Sequence, residues 1–147
     1  MLRISKLTDY ASRVMICLAE YPQIVHSAVA LAEHARLELP TVSKLLKQLG
    51  RAGLVESFRG VNGGYRLARA PEAINLAEIV IAMEGPFGMT ECSAHSGSCD
   101  HEPYCGVRGN WRRISEVIET ALKKVTLVDM LPISTRQRRK SIPLQIV

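Results

Sequence analysis

Pro40-Thr41-Val42-Ser43-Lys44-Leu45-Leu46-Lys47-Gln48-Leu49, followed by Leu54-Val55-Glu56-Ser57-Phe58, Arg59-Gly60-Val61-Asn62-Gly63-Gly64 and Tyr65-Arg66-Leu67, is the stretch that decides the fold. Val42, Leu45, Leu46 and Leu49 recur at intervals of three and four, the spacing of one helix face. Pro40 suits a first helical turn, where its missing N–H would be unpaired anyway, and Gly53 stops the helix. Two short apolar runs around a glycine-rich turn then predict a β-hairpin. A phosphate-binding loop is the competing reading of Gly60–Gly64, but no helix start with Lys-Ser or Lys-Thr follows it.

Upstream, Leu7, Tyr10, Ala11, Val14, Met15 and Leu18 mark a first helix, capped by Ser5 or Thr8. Asp9 and Arg13 lie off that stripe one turn apart, so Asp9 reads first as a first-turn carboxylate paired with Arg13. Cys17 reads as a small buried hydrophobe. Ser27 caps a second helix through Ala35, and Arg36–Glu38 form a tight turn. Helix, helix, turn, helix, hairpin is the order of a winged helix-turn-helix, whose third helix enters the major groove. The outward residues of that helix, Pro40, Thr41, Ser43, Lys44, Lys47, Gln48 and Arg51, suit phosphates and base edges. Arg59 and Gly60 at the turn, with Arg66, suit a charged wing near a narrow minor groove.

Charge agrees with this division. The net charge is +5, and from Met1 to Arg69 there are ten Lys or Arg against five Asp or Glu. Ala70–Val107 hold six acidic residues and no Lys or Arg, so the face that meets a polyanion belongs to the front half. No apolar run is long enough for a membrane span and no signal-peptide core is visible, so the expectation is a cytoplasmic protein without membrane contact. No catalytic constellation and no substrate pocket can be read from the residues, so neither an enzyme nor a small-molecule substrate is expected.

Downstream, Asn75 opens a fourth helix with Glu78 as capping-box partner, and Gly85-Pro86 end it. Cys92, Cys99 and Cys105 then fall within fourteen residues among Gly, Ser and Pro, with His95 and His101 beside them. Such a segment buries little, and in a reducing compartment three clustered thiols suit a soft metal: an iron-sulfur cluster, zinc or copper(I). The spacing leaves zinc and iron-sulfur open, and the absence of a Cys-x-x-Cys pair disfavours a thiol redox enzyme. Val107, Trp111, Ile114, Ile118, Ala121 and Val125 form a heptad-like seam, widened by Val117 and Leu122, that predicts a homodimer helix.

The expected architecture is therefore mainly α with a small β-hairpin. It divides into a winged helix-turn-helix DNA-binding domain at 1–85, a cluster-binding loop at 86–106, a dimerisation helix at 107–131 and a basic flexible tail at 132–147. In the tail, Arg136-Gln137-Arg138-Arg139-Lys140 shows no periodicity and suits nonspecific phosphate contacts.

These features together resemble the iron-sulfur-dependent winged-helix regulators of the IscR and NsrR kind, the Rrf2 family. The resemblance covers about Met1–Leu131 and is carried by Arg3–Ala11, by Arg59–Tyr65, by the three-cysteine loop and by Trp111. Ser5–Ala11 and Val125–Met130 look most like the branch of regulators of SUF-system cluster assembly. The resemblance implies a cytoplasmic repressor or other transcription regulator that binds double-stranded DNA as a homodimer. It implies Cys92, Cys99 and Cys105 as ligands of a 2Fe-2S or 4Fe-4S cluster, and breaks the tie against zinc. IscR-like members place a histidine ligand three residues after the last cysteine, where this chain has Arg108. NsrR-like members use an aspartate from the other subunit at the position of Asp9, which makes Asp9 the leading fourth ligand. IscR-like members also begin the recognition helix with Ser-Tyr-Leu-Glu-Gln. This chain has Pro40-Thr41-Val42-Ser43-Lys44, so their operator does not carry over.

Overall fold

The computed structural model describes residues 3–97 and 99–141. Helices α1 (Lys6–Glu20), α2 (Ala28–Ala35) and α3 (Leu39–Arg51) lead into the antiparallel strands β1 (Val55–Phe58) and β2 (Gly64–Leu67). Then follow α4 (Leu76–Glu84), the one-turn α5 (Glu91–Ala94), α6 (Arg108–Lys123) and α7 (Ile133–Ser141). This is the mainly helical winged arrangement that the sequence predicts.

Local chemistry starts and stops these elements. Ser5 caps α1, its hydroxyl accepting from Thr8 N–H at 3.2 Å, and Ser27 caps α2. Asn75 and Glu78 form the full reciprocal capping box of α4. Arg36 ends α2 in the left-handed region at φ 54°, and Leu37 N–H returns to Ala32 O at 2.9 Å, which turns the chain sharply into α3.

Met15, Leu18, Leu31, Leu45, Leu49 and Leu54 form the centre of the core, each at most 1% exposed. The hairpin register pairs Val55 with Leu67 and Phe58 with Gly64. Tyr65 also exchanges two backbone bonds with His26, at 2.8 and 2.7 Å, so an isolated bridge ties the segment before α2 to the edge of the two-stranded sheet. Gly64 is required there, because a Cβ would overlap His26 O.

The C-terminal third departs from expectation. The long helix ends at Lys123, and the chain returns to the winged domain instead of extending a dimer helix to 131. Leu127 N–H donates to Ile74 O at 2.8 Å, and Leu127 and Leu131 enter the core at 0% and 1% exposure. Residues 133–141 are helical rather than a tail without regular structure. The reason is polar: Arg136 reaches back from the first turn of α7 to Leu131 O at 2.9 Å and Asp129 O at 2.5 Å. Positions 142–147 of the expected tail lie outside the described residues. Among the described residues, no helix is long and apolar enough to cross a membrane.

Candidate nucleic-acid interface and candidate metal centre

The division of α3 is complete. Val42, Leu45, Leu46 and Leu49 are buried, whereas Pro40, Lys44, Lys47 and Arg51 are exposed, and Thr41, Ser43 and Gln48 lie at the margins. At 100° per residue, Pro40, Lys44, Lys47 and Arg51 share one stripe opposite the buried face. Arg13 holds the turn before α3 by donating to Ala35 O at 2.5 Å, and it takes this partner instead of Asp9. On the hairpin, Arg59 and Gly60 are exposed at the tip. Arg66 is not a free wing charge: it pairs with Glu56 at 3.3 Å and lies 4.9 Å from the Phe58 ring centroid. The expected DNA-contacting residues thus fall on the exposed stripe of α3, on its two margins and at one hairpin tip.

A second polar cluster joins the chain start to the cysteine loop. Thr8, 1% exposed, donates through its hydroxyl to Glu84 Oε1 at 2.6 Å, and Ser5 N–H donates to the same oxygen at 3.0 Å. These bonds, that from Thr8 foremost, hold the Glu84 carboxyl below its ordinary range. Glu84 is the last residue of α4, directly before the loop, and Asp9 follows Thr8. The Asp9 side chain is exposed and makes no hydrogen bond or ion pair among the described residues.

Cys92, Cys99 and Cys105 are free thiols of intermediate exposure. Cys92 lies in α5, with its sulfur 3.3 Å from Thr90 Oγ1. Buried Ser115 fastens that turn to α6: its hydroxyl accepts from Met89 N–H at 3.0 Å and lies 3.5 Å from Ser93 Oγ. Cys105 closes a 3-10 turn at Glu102–Tyr104, three residues before α6 begins. Cys17, by contrast, is buried, and burial pushes its thiol up to about 11, so it stays protonated and inert.

The donor chemistry of the loop fits a thiophilic metal: three reduced sulfurs on one short segment with no disulfide among them. Among the described residues, no three His, Cys, Asp or Glu side chains gather closely enough to hold a single metal ion. Asp9 is likewise not brought to the three cysteines within this chain. At the base of the loop lies an open cleft of about 630 Å³, lined by Ile4, Glu84, Phe87, Met89, His95 and Ile118 among others.

Sequence reasoning missed Thr8 and Glu84 as partners, and also Ser115. A serine beside the apolar seam of α6 was the available signal for Ser115, whereas Thr8 and Glu84 are 76 residues apart and gave none. The seam itself divides in two. Ile118, Leu122 and Val125 are sheltered by their own chain, whereas Val107, Trp111, Ile114, Val117 and Ala121 remain exposed, Val117 at 69%.

Residues 4–132 match the family model Rrf2, described as iron-dependent transcriptional regulator. The transcriptional regulator NsrR of Bacillus subtilis strain 168 is 33% identical over 132 residues, covering 88% of this chain and 90% of that protein. The structure of CymR, the global cysteine regulator of B. subtilis, superposes with a TM-score of 0.69 at 31% identity, covering 88% of this chain and 96% of that one. IscR of T. potens gives 0.66 at 31% identity, covering 88% and 85%.

Proposed function

We propose that this chain, which belongs to the Rrf2 family of transcriptional regulators, binds double-stranded DNA as a homodimer and adjusts that binding to an iron-sulfur cluster held by Cys92, Cys99 and Cys105. The observation that carries this reading is a loop with three free thiols, preceded by Glu84 on α4 and followed by α6. When bound, the cluster supplies an oxidant-sensitive crosslink between the segments that bear the sulfurs.

Each part of the chain has a task in this reading. Lys44 and Lys47 meet phosphates, Arg59 reaches toward the minor groove, Thr41, Ser43 and Gln48 face base edges, and Pro40 and Gly60 allow close backbone approach. The exposed seam of α6 covers the same seam of a second copy, and so sets the distance between two recognition helices that must match half-sites about 34 Å apart. Thr8 and Ser5, through Glu84, connect movement of the loop to the first helix, and so to the domain that carries α3. Asp9, exposed and without a side-chain partner among the described residues, is offered to the partner subunit as the fourth ligand, and a carboxylate beside thiolates is the weakest of the four.

The regulated genes in this reading are those of cluster assembly, on the resemblance of Ser5–Ala11 and Val125–Met130. Nitric-oxide or redox sensing by the same fold is the alternative signal. Relatives named NsrR, IscR and CymR stand at 33%, 31% and 31% identity, so likeness alone does not choose among them.

Anaerobic purification tests the reading. The expected product is brown, with iron and sulfide bound through the loop and Mössbauer spectra that assign the cluster type. Colourless protein with one zinc per chain would establish the third reading, a zinc-stabilised repressor that senses nothing.

A further inference from the structure

Glu102 and Arg108 make the most elaborate contact in the cysteine loop. Arg108 Nη2 lies 2.5 Å from Glu102 Oε1 and 3.2 Å from Ser96 Oγ, and Glu102 Oε2 accepts from Gly97 N–H at 2.6 Å. Glu102 therefore commits both oxygens. Its side chain is 15% exposed and that of Arg108 27%, so the pair is partly sheltered from water, while its bonds to Gly97 and Ser96 lie at the surface.

The placement of these groups relative to the sulfurs matters most. Ser96 and Gly97 lie between Cys92 and Cys99, Glu102 lies between Cys99 and Cys105, and Arg108 follows Cys105. One knot of hydrogen bonds thus joins both intercysteine segments to the helix beyond them. With this knot in place, the described residues form no group able to hold a single metal ion.

The start of α6 explains why the knot forms. Arg108 is the first residue of that helix, where the helix dipole disfavours a cation, and α6 has neither a side-chain cap nor an acidic residue in its first turn. Glu102 supplies the missing negative charge from the loop. The compensation is partial, because Arg108 Nε is buried with no hydrogen-bond partner among the described residues. An arrangement that relieves that strain is accessible to a modest competing interaction.

We propose that the Glu102–Arg108 pair is a latch for the metal-free loop. It holds Cys92, Cys99 and Cys105 apart, and must open or re-form when the three sulfurs draw together on a metal. The inference rests on the metal-centre reading above and adds the competing interaction that sets how readily the loop loads. Each thiol that binds releases its proton to solvent, and no redox change is involved.

The test uses the full chain, metal-free and reduced, titrated anaerobically with Co²⁺ and followed by thiolate-to-cobalt charge-transfer absorption. Glu102→Ala and Arg108→Ala should each bind Co²⁺ about 5-fold more tightly than wild type, the scale of a sheltered but not fully buried ion pair. In the metal-free variants the Gly97 amide should exchange with deuterium faster, by a similar factor. Unchanged affinity with unchanged exchange overturns the latch, and so does weaker binding in both variants, which would make the pair a brace for the loaded loop. If wild type binds no Co²⁺ through sulfur, the metal-centre reading falls and the latch with it. Wild-type binding with unshifted variants removes the latch alone.

Discussion

Thr8 Oγ1 donates to Glu84 Oε1 at 2.6 Å, which joins the first turn of α1 to the last residue of α4 across 76 positions of sequence. Thr8 has almost no solvent contact, while Glu84 is exposed, so the bond closes over the buried hydroxyl at the surface. Thr8→Val keeps the shape and removes the hydroxyl. It should lower stability by about 1 kcal/mol, the usual net value of one hydrogen bond, as read from urea unfolding.

Glu84 adds a pH dependence with a definite sign. Its carboxyl lies below its ordinary range because Thr8 and Ser5 donate to the charged form. A depressed carboxylate contributes stability that is fully present above its unfolded value and is lost as the pH falls through the folded one. Wild type and Glu84→Gln should therefore differ in urea midpoint at neutral pH and converge in acid. A difference that grows on acidification would contradict the assignment.

Lys44 and Lys47 are exposed on the stripe of α3 opposite the core. Their replacement by Ala should leave the melting temperature nearly unchanged and weaken DNA binding. The slope of log affinity against log salt should fall by about one for each phosphate that a removed lysine had neutralised. Fluorescence anisotropy on duplex DNA at several salt concentrations reads both affinity and slope.

Gly64 tests the wing. His26 O occupies the space of a Cβ at this position, and the two bonds between His26 and Tyr65 flank the contact. Gly64→Ala should cost roughly 1–3 kcal/mol and loosen the hairpin. Faster amide exchange at Tyr65 and His26 would report it, with Gly60→Ala, strained by its φ of +109° but with open space for a Cβ, as the comparison without the overlap.

Val117 and Ile114 are exposed at 69% and 42% on the side of α6 turned away from its own domain. On the proposed homodimer, wild type should sediment as a dimer and Val117→Glu as a monomer, while the winged domain keeps its melting transition. An unshifted dimer would place the interface elsewhere.

Features that depend on near neighbours were readable from the residues in order. The apolar positions of α3, the Asn75–Glu78 capping box and the glycine turn of the hairpin each span one helical element or one hairpin, so their pattern is local. What escaped was set by distant partners. Leu127 and Leu131 read as the end of a dimer helix, yet they complete the core beside Ile74. Leu7, placed on the inward stripe of α1, is 38% exposed because it precedes the packed part of the helix. The helix at 133–141 has no apolar periodicity to announce it, since Arg136 holds its start by bonds to backbone carbonyls. Within the candidate site, the cysteines were visible as a cluster. Their separation and the Glu102–Arg108 pair depend on loop geometry that spacing does not encode.

The central claim is that the state of the loop governs DNA binding, and one measurement meets it directly. Affinity for promoter DNA is determined anaerobically with iron-loaded and iron-free protein, for wild type and for a Cys99→Ser variant. Wild type should show two clearly different affinities, and the variant a single affinity whether or not iron and sulfide are supplied. Equal wild-type affinities in both states, or a variant that still responds, would contradict the account.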